Sequence, residues 1–156
     1  MDNAEKKKIL SVKDLIIEYA SEGELVQAVN GASFDVEYGS TIGLVGETGA
    51  GKTTLAKAIM GILPEAQAQI CSGEICLDGE NLLTIPESRM EKIRGKRISM
   101  IFQDPMTALN PVMRIGRQIS EVIEEHGNVS AKEAEKMAKD TLELVGISKD
   151  RYREYP

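Results

Sequence analysis

Apolar and polar positions alternate along the opening of the chain. In residues 9–19, Leu15, Ile17 and Tyr19 share one face, which predicts an early strand. A polar turn at Ser21-Glu22-Gly23 follows, and Ala32, Phe34 and Val36 then alternate with polar neighbours. That pattern predicts a second strand of the same antiparallel layer, punctuated by Tyr38-Gly39-Ser40. Thr41-Ile42-Gly43-Leu44-Val45 is a different signal, a short apolar run without alternation, as expected for a strand buried on both faces. It leads straight into Gly46-Glu47-Thr48-Gly49-Ala50-Gly51-Lys52-Thr53-Thr54. Leu55 to Met60 then has helical character and stops near Gly61 and Pro64.

Residues 73–77 predict a further short strand, turned by Asp78-Gly79. A short helix is expected from Pro86 to Arg94, with proline in its first turn and Gly95 at its end. Ile98 to Phe102 is a second candidate for a buried core strand. Beyond Asp104-Pro105 the pattern turns helical. Ile115, Ile119, Val122, Ile123 and His126 fall on one helix face, where His126 reads as a packing residue. Ser130-Ala131-Lys132-Glu133 is a capping box opening a second amphipathic helix through Ala134, Met137, Thr141, Leu142 and Val145, ended by Gly146. The chain therefore reads as an α/β core followed by a small helical subdomain, without repeats or low-complexity segments.

Composition narrows the class. A length of 156 residues suits one domain, and 42% apolar with 28% charged residues is ordinary globular composition. No apolar run approaches the ~20 residues of a membrane-spanning helix. The charged start, Met1 to Lys8, is no secretory signal and reads as a solvated tail, so a soluble, cytoplasmic protein is expected. The net charge is −6, from 25 acidic and 19 basic residues, and no basic patch stands out. Nucleic acid is therefore not an expected partner. Cys71 and Cys76, with His126 the one histidine, make a poor metal set and read as a reduced pair.

The glycine loop carries the chemistry. A triphosphate concentrates negative charge that must be surrounded at short range. Glycines at 46, 49 and 51 open backbone conformations closed to other residues, so that successive amides can form a nest for phosphate oxygens. The helix beginning at Lys52 adds its positive end. Lys52 supplies a mobile charge for the β- and γ-phosphates, and the Thr53 hydroxyl is placed to ligate Mg²⁺. Thr54 fits either a capping role or an α-phosphate contact. The fixed positions of such a loop coincide by chance about once in 30,000 starts. Here a strand pattern precedes it and a helix pattern follows.

With these segments in place, the chain resembles the ABC-type ATPases, and among them the ATP-binding subunits of dipeptide, oligopeptide and nickel importers. Three segments carry the resemblance: Ala28-Val29-Asn30-Gly31-Ala32-Ser33-Phe34, Gly43 through Thr54, and Ile101-Phe102-Gln103-Asp104-Pro105-Met106-Thr107-Ala108-Leu109-Asn110-Pro111. It spans essentially Leu10 to Pro156. The implied fold is a P-loop NTPase core of ABC type (residues 9–108) with an antiparallel β layer, followed by the start of the helical subdomain (109–156). The resemblance places Tyr19 where the family stacks an aromatic ring on adenine; from pattern alone Tyr19 is equally an ordinary strand aromatic. It gives Gln103 the role of reaching Mg²⁺ or the attacking water, where pattern alone reads a loop-capping residue. Asp104 reads as a turn-former. The implied cofactors are ATP and Mg²⁺, held by Gly46, Glu47, Thr48, Gly49, Ala50, Gly51, Lys52, Thr53 and Thr54, with Lys52 and Gln103 in the catalytic roles.

Other family elements have no counterpart here. Ile75-Cys76-Leu77-Asp78 is followed by Gly79, and Ile101-Phe102-Gln103-Asp104 by Pro105, so neither is an apolar strand ending in Asp-Glu. No Leu-Ser-Gly-Gly-Gln-like signature and no switch histidine are found, and the sequence stops at Glu154-Tyr155-Pro156 where relatives continue toward that signature. The expectation is a truncated form, a fragment or a broken reading frame, that binds nucleotide at most in part and does not hydrolyse it. The partners implied are transmembrane permease subunits, a second ATPase subunit and, indirectly, an extracytoplasmic solute-binding protein, at the cytoplasmic face of the membrane. A non-transport P-loop ATPase or phosphotransferase and a non-catalytic nucleotide-binding module are the alternatives.

Overall fold

A computed structural model describes residues 7–21 and 24–156. Residues 1–6 of the expected tail and Glu22-Gly23 of the expected turn lie outside the described residues. The chain divides into two compact units, one extending to Glu91 and the other from Lys92 to Pro156.

The first unit is built on an antiparallel sheet of order β2-β1-β3-β4. Its strands are β1 (Lys8–Ser21), β2 (Glu24–Glu37), β3 (Ala68–Leu77) and β4 (Glu80–Asn81). The antiparallel layer expected from alternation is present, and it reaches further than predicted at both ends. Lys8 pairs with Glu37 and ion-pairs with Asp35 at 2.7 Å, so it belongs to the sheet. Strand β3 begins at Ala68, five residues before the predicted 73. Asp78 and Gly79, with φ of 49° and 85°, make the tight turn into β4 that Asp-Gly predicts.

Simple alternation does not account for the buried face of β1. Val12, Leu15 and Ile17 are all fully buried, although Val12 and Leu15 differ in parity. The register slips between them, and Asp14 sits there with φ of 44°. A bulge inserts one residue and returns the apolar side chains to one face. Ser33 on β2 accepts from the Asp14 amide at 2.8 Å, and Ser72 on β3 donates to its carbonyl at 3.2 Å. Gly73 lies against the bulge so closely that a Cβ there would meet the Leu15 Cα at 2.6 Å.

Helix α1 (Lys52–Ile59) buries Leu55 and Ala58 and ends where Gly61 turns the chain. Helix α2 (Glu87–Ile93) follows Pro86 and ends before Gly95, close to the predicted bounds. The two predicted core strands are not formed. Residues 41–45 pair with no strand among those described, and Val45 is 95% exposed. Residues 98–102 contribute only an isolated bridge from Ile98 to Arg94, and Ile101 is 91% exposed. An unalternating apolar run becomes a strand only when neighbours hydrogen-bond both of its edges and cover both faces. Among the described residues neither segment has such neighbours, and Val45 and Ile101 stay open.

The second unit packs α3 (Ile115–His126), α4 (Ala131–Leu144) and a 3₁₀ turn at Lys149–Arg153, preceded by another at Pro105–Ala108. Both predicted helices are present; α3 buries a face offset from the predicted one, and α4 buries Ala134 and Leu142 as predicted but not the rest of its predicted face. In α3 the buried positions are Gly116 and Ser120, and Val122 is exposed; in α4 they are Ala134, Ala138 and Leu142, and Met137 and Val145 are exposed. Small residues face inward because Tyr152 fills the space. A Cβ on Gly116 would meet its ring at 2.1 Å, its hydroxyl lies 3.0 Å from Ser120 Oγ, and Lys139 sits over its ring at 5.1 Å. His126 packs as expected, with its ring against Gly95.

Candidate functional site: a glycine loop ahead of a helix

The loop from Gly46 to Gly51 leads into α1 with its backbone folded around a lysine. Lys52 Nζ donates to the carbonyls of Gly46 and Glu47, at 2.6 Å each. The Ala50 amide closes the loop on the Glu47 carbonyl at 3.1 Å. Gly49 and Gly51 both have left-handed backbone, with φ of 85° and 80°. At Gly51 two constraints coincide, because a Cβ would lie 2.0 Å from the Ala28 carbonyl oxygen on β2. No L-residue with a side chain fits that position without moving the strand.

Gly51 is also the N-cap of α1, and no side chain caps the helix there. The first turn of any helix leaves amide donors without intrahelical partners. Lys52 is itself the first residue of α1, so its ammonium and the helix N-terminus belong to one short stretch of chain, a concentration of positive charge suited to an anion with several oxygens. Beside the loop is an open cleft of about 400 Å³, lined by Ala28 and Val29 of β2, Leu44, Ala50, Lys52 and Leu55. The strand residues Ala28 and Val29 carried no role in the sequence reading. The signal for them was their place in the segment Ala28 to Phe34 that carries the family resemblance; in the structure a bulge follows at Gly31, where the pairing of Leu15 with Ala32 steps to Ile16 with Asn30.

The other predicted site residues are distributed as follows. Gly46, Glu47, Gly49, Ala50, Gly51 and Lys52 form the loop itself. Glu47, Thr48 and Thr53 are exposed and Thr54 is half-buried, all on the loop or the first turn of α1. Tyr19 is half-buried on β1, paired with Val26 and Ala68, and does not line the cleft. Gln103 is exposed in the second unit, on the segment ahead of the 3₁₀ turn. The structure therefore brings the loop residues together with Lys52, and leaves Tyr19 and Gln103 on separate elements. Asp104 behaves as the turn-former expected, accepting from the Met106 amide at 3.1 Å.

Next to Tyr19 a polar row crosses the sheet. Hydrogen bonding from the Cys71 thiol, then from Gln27 and Gln69, holds the Glu18 carboxyl below its ordinary range. Desolvation, then the Glu18 carboxylate, pushes the Cys71 thiol up, which keeps it a thiol and a poor nucleophile. Cys71 and Cys76 are both free. No group of three metal-ligating side chains occurs among the described residues, so the donors available to a cation near the loop are single oxygens such as that of Thr53.

The profile of the ABC transporter family matches residues 29–155. Among curated proteins, the chain is 45% identical to the oligopeptide transport ATP-binding protein OppD of Bacillus subtilis over 140 residues, 90% of this chain and 39% of that protein. It is 43% identical to the dipeptide transport ATP-binding protein DppD of the same organism, covering 96% of this chain and 45% of the relative. The chain thus spans less than half the length of these relatives. Among solved structures it resembles a dimeric bacterial ABC transporter cassette, with a TM-score of 0.79 at 19% identity over 94% of this chain and 61% of the other. It also resembles an ATP-binding cassette in a post-hydrolysis state bound to ADP and phosphate, with a TM-score of 0.77 at 18% identity. At such identities the likeness shows the fold, a P-loop ABC cassette, which agrees with the glycine loop, the antiparallel layer and the helical unit. The chain belongs to the ABC transporter family.

Proposed function

We propose that this chain is part of the ATP-binding motor subunit of an importer for dipeptides or oligopeptides, and that its glycine loop holds Mg-ATP. The observation that carries the reading is the loop geometry: Gly51 fixed against β2, Lys52 drawn over the loop, and an α1 N-terminus without a side-chain cap. Identity of 43–45% to peptide-transport ATP-binding proteins supports the peptide assignment over nickel or another solute.

In this reading the phosphates displace the two loop carbonyls from Lys52, whose ammonium then serves the β- and γ-phosphates. Amides of Gly49 to Thr54 surround the phosphate oxygens, and Thr53 Oγ1 offers a ligand to Mg²⁺. Tyr19 stacks on adenine, supported by its place in the sheet whose Ala28 and Val29 line the cleft. Gln103 approaches the metal or the attacking water. We place the nucleotide-binding core in residues 9–108 and the helical part in 109–156. Magnesium lowers the charge of the triphosphate and orients it; the chain's own groups bind and position it.

Hydrolysis and transport belong to the assembled system, with permease subunits, a second ATPase subunit and an external solute-binding protein, at the cytoplasmic face of the membrane. No helix among the described residues is long and apolar enough to cross a membrane. No Asp-Glu strand end and no signature occur in these 156 residues, so the chain alone is expected to bind without turnover. Calorimetric titration with Mg-ATP tests the site. Saturable binding that Lys52→Ala abolishes, with no phosphate release, is the expected result. Equal binding by wild type and Lys52→Ala would remove the loop from the site.

A further inference from the structure

The segment after Gln103 has little packing of its own. Ile101 and Met106 are largely exposed, and so is Asn110. The segment is organised instead by local turns: Asp104 accepts from the Met106 amide, Leu109 N donates to the Met106 carbonyl at 3.3 Å, and Asn110 Oδ1 accepts from the Val112 amide at 3.1 Å. The Gln118 side chain ties this run to α3. Gln118 Oε1 accepts from the Asn110 amide at 2.9 Å, and Gln118 Nε2 donates to the carbonyls of Asn110 at 3.0 Å and Met113 at 2.9 Å.

This is a two-point reading of a single residue's backbone. The primary amide offers an acceptor and a donor side by side, and Asn110 presents its own N–H and C=O to them, as an adjacent strand would. The third bond, to Met113, fixes the far end of the turn. Gln118 can reach back because side chains in the first turns of a helix lean toward its N-terminus, which places them over the chain that enters it. The Gln118 side chain is half-buried, and its bond to Met113 is partly shielded, so water competes for that bond less than at the exposed turns around it.

From this we infer that Gln118 is the positioning residue of the Gln103 segment: its amide clamps Asn110 and Met113 to α3, so that the run beginning at Gln103 moves with the helical unit. The inference rests on the proposed role of Gln103 toward bound nucleotide. Gln118 touches no reacting atom. Its function is to turn a weakly packed loop into one with a fixed attachment point, seven residues from the glutamine it serves.

Hydrogen exchange on the whole chain, with and without Mg-ATP, tests this. Gln118→Leu removes all three bonds, and Gln118→Glu sets a carboxylate against two carbonyls. Gln118→Leu is expected to speed exchange at the Asn110 amide about tenfold, and Gln118→Glu, which keeps an acceptor for that amide, to speed it less, while Ala138 and Leu142 in α4 keep wild-type protection in both. In wild type, Mg-ATP should slow exchange at Gln103 and Asp104. Gln118→Leu should lose that slowing while its Mg-ATP affinity stays within about twofold. Unchanged exchange at Asn110, or loss of protection throughout α4, overturns the clamp. Slowing at Gln103 that persists in Gln118→Leu, or that is absent in wild type with nucleotide bound, overturns the positioning role. Failure of wild type to bind Mg-ATP overturns the nucleotide reading itself and the link to Gln103 with it, leaving the clamp decided by the exchange at Asn110.

Discussion

At the scale of single residues, the glycines of the loop are not equivalent. Gly49 and Gly51 both adopt left-handed backbone, and for a residue with a side chain this costs about 1–2 kcal/mol. Around Gly49 an added Cβ meets nothing within 4 Å, whereas at Gly51 it would lie 2.0 Å from the Ala28 carbonyl oxygen. Gly49→Ala is therefore expected to carry the backbone cost alone, and Gly51→Ala to displace β2 as well. Thermal unfolding and Mg-ATP titration of the two variants should rank Gly51→Ala as the more damaged in both. Equal damage would mean that the contact with Ala28 is not what decides the position. The glycine spacing was legible in the sequence because the loop is local. The contact with Ala28 was not, since it joins residues 23 positions apart through the register of the sheet.

At the scale of elements, the sequence showed where helices and antiparallel strands lie and part of what they bury: Leu15 and Ile17 in β1 and Ala134 and Leu142 in α4 are buried as predicted, whereas α3 buries Gly116 and Ser120 instead of its predicted face. Helical periodicity identified α3 and α4, and the capping box fixed the start of α4. In α3 the most buried positions differ from the predicted ones because size, not hydrophobicity, selects what lies under Tyr152: Gly116 and Ser120 leave room for its ring. Ser120 is 1% exposed and its hydroxyl is 3.0 Å from that of Tyr152. Tyr152→Phe is expected to destabilise the helical unit by about 1–3 kcal/mol by stranding a buried hydroxyl. Adding Ser120→Ala should restore much of that loss, because both polar groups are then gone; chemical denaturation of the four proteins measures the coupling. The capping box predicts a pH dependence. Hydrogen bonds from the Ser130 side chain, then from its backbone amide, hold the Glu133 carboxyl below its ordinary value of 4.5. A depressed carboxyl contributes stability that is complete above 4.5 and is lost as pH falls through the lower folded value. The difference in thermal midpoint between wild type and Glu133→Gln should be constant above pH 4.5 and shrink below it. A difference that grows on acidification would reverse the assignment.

Across the whole molecule, the two predicted core strands expose the limit of reading strands from composition. Residues 41–45 and 98–102 carry the apolar content of buried strands, yet in these 156 residues Val45 is 95% and Ile101 is 91% exposed. Burial in a parallel sheet depends on neighbours from distant parts of a chain, and the curated relatives with these segments are more than twice as long. The physical consequence is measurable. Apolar side chains left this exposed are a surface on which another copy of the chain can pack. The chain alone is expected to self-associate as its concentration rises, with these two segments as the points of contact. Val45→Ser with Ile101→Ser should raise the concentration at which light scattering first reports assemblies. Thermal unfolding of the monomer should stay near wild type, because neither side chain has packing to lose. Association unchanged in the double variant would shift the contact to the exposed apolar residues of the helical unit, Leu144 and Val112 foremost, and the same substitutions made there would decide it.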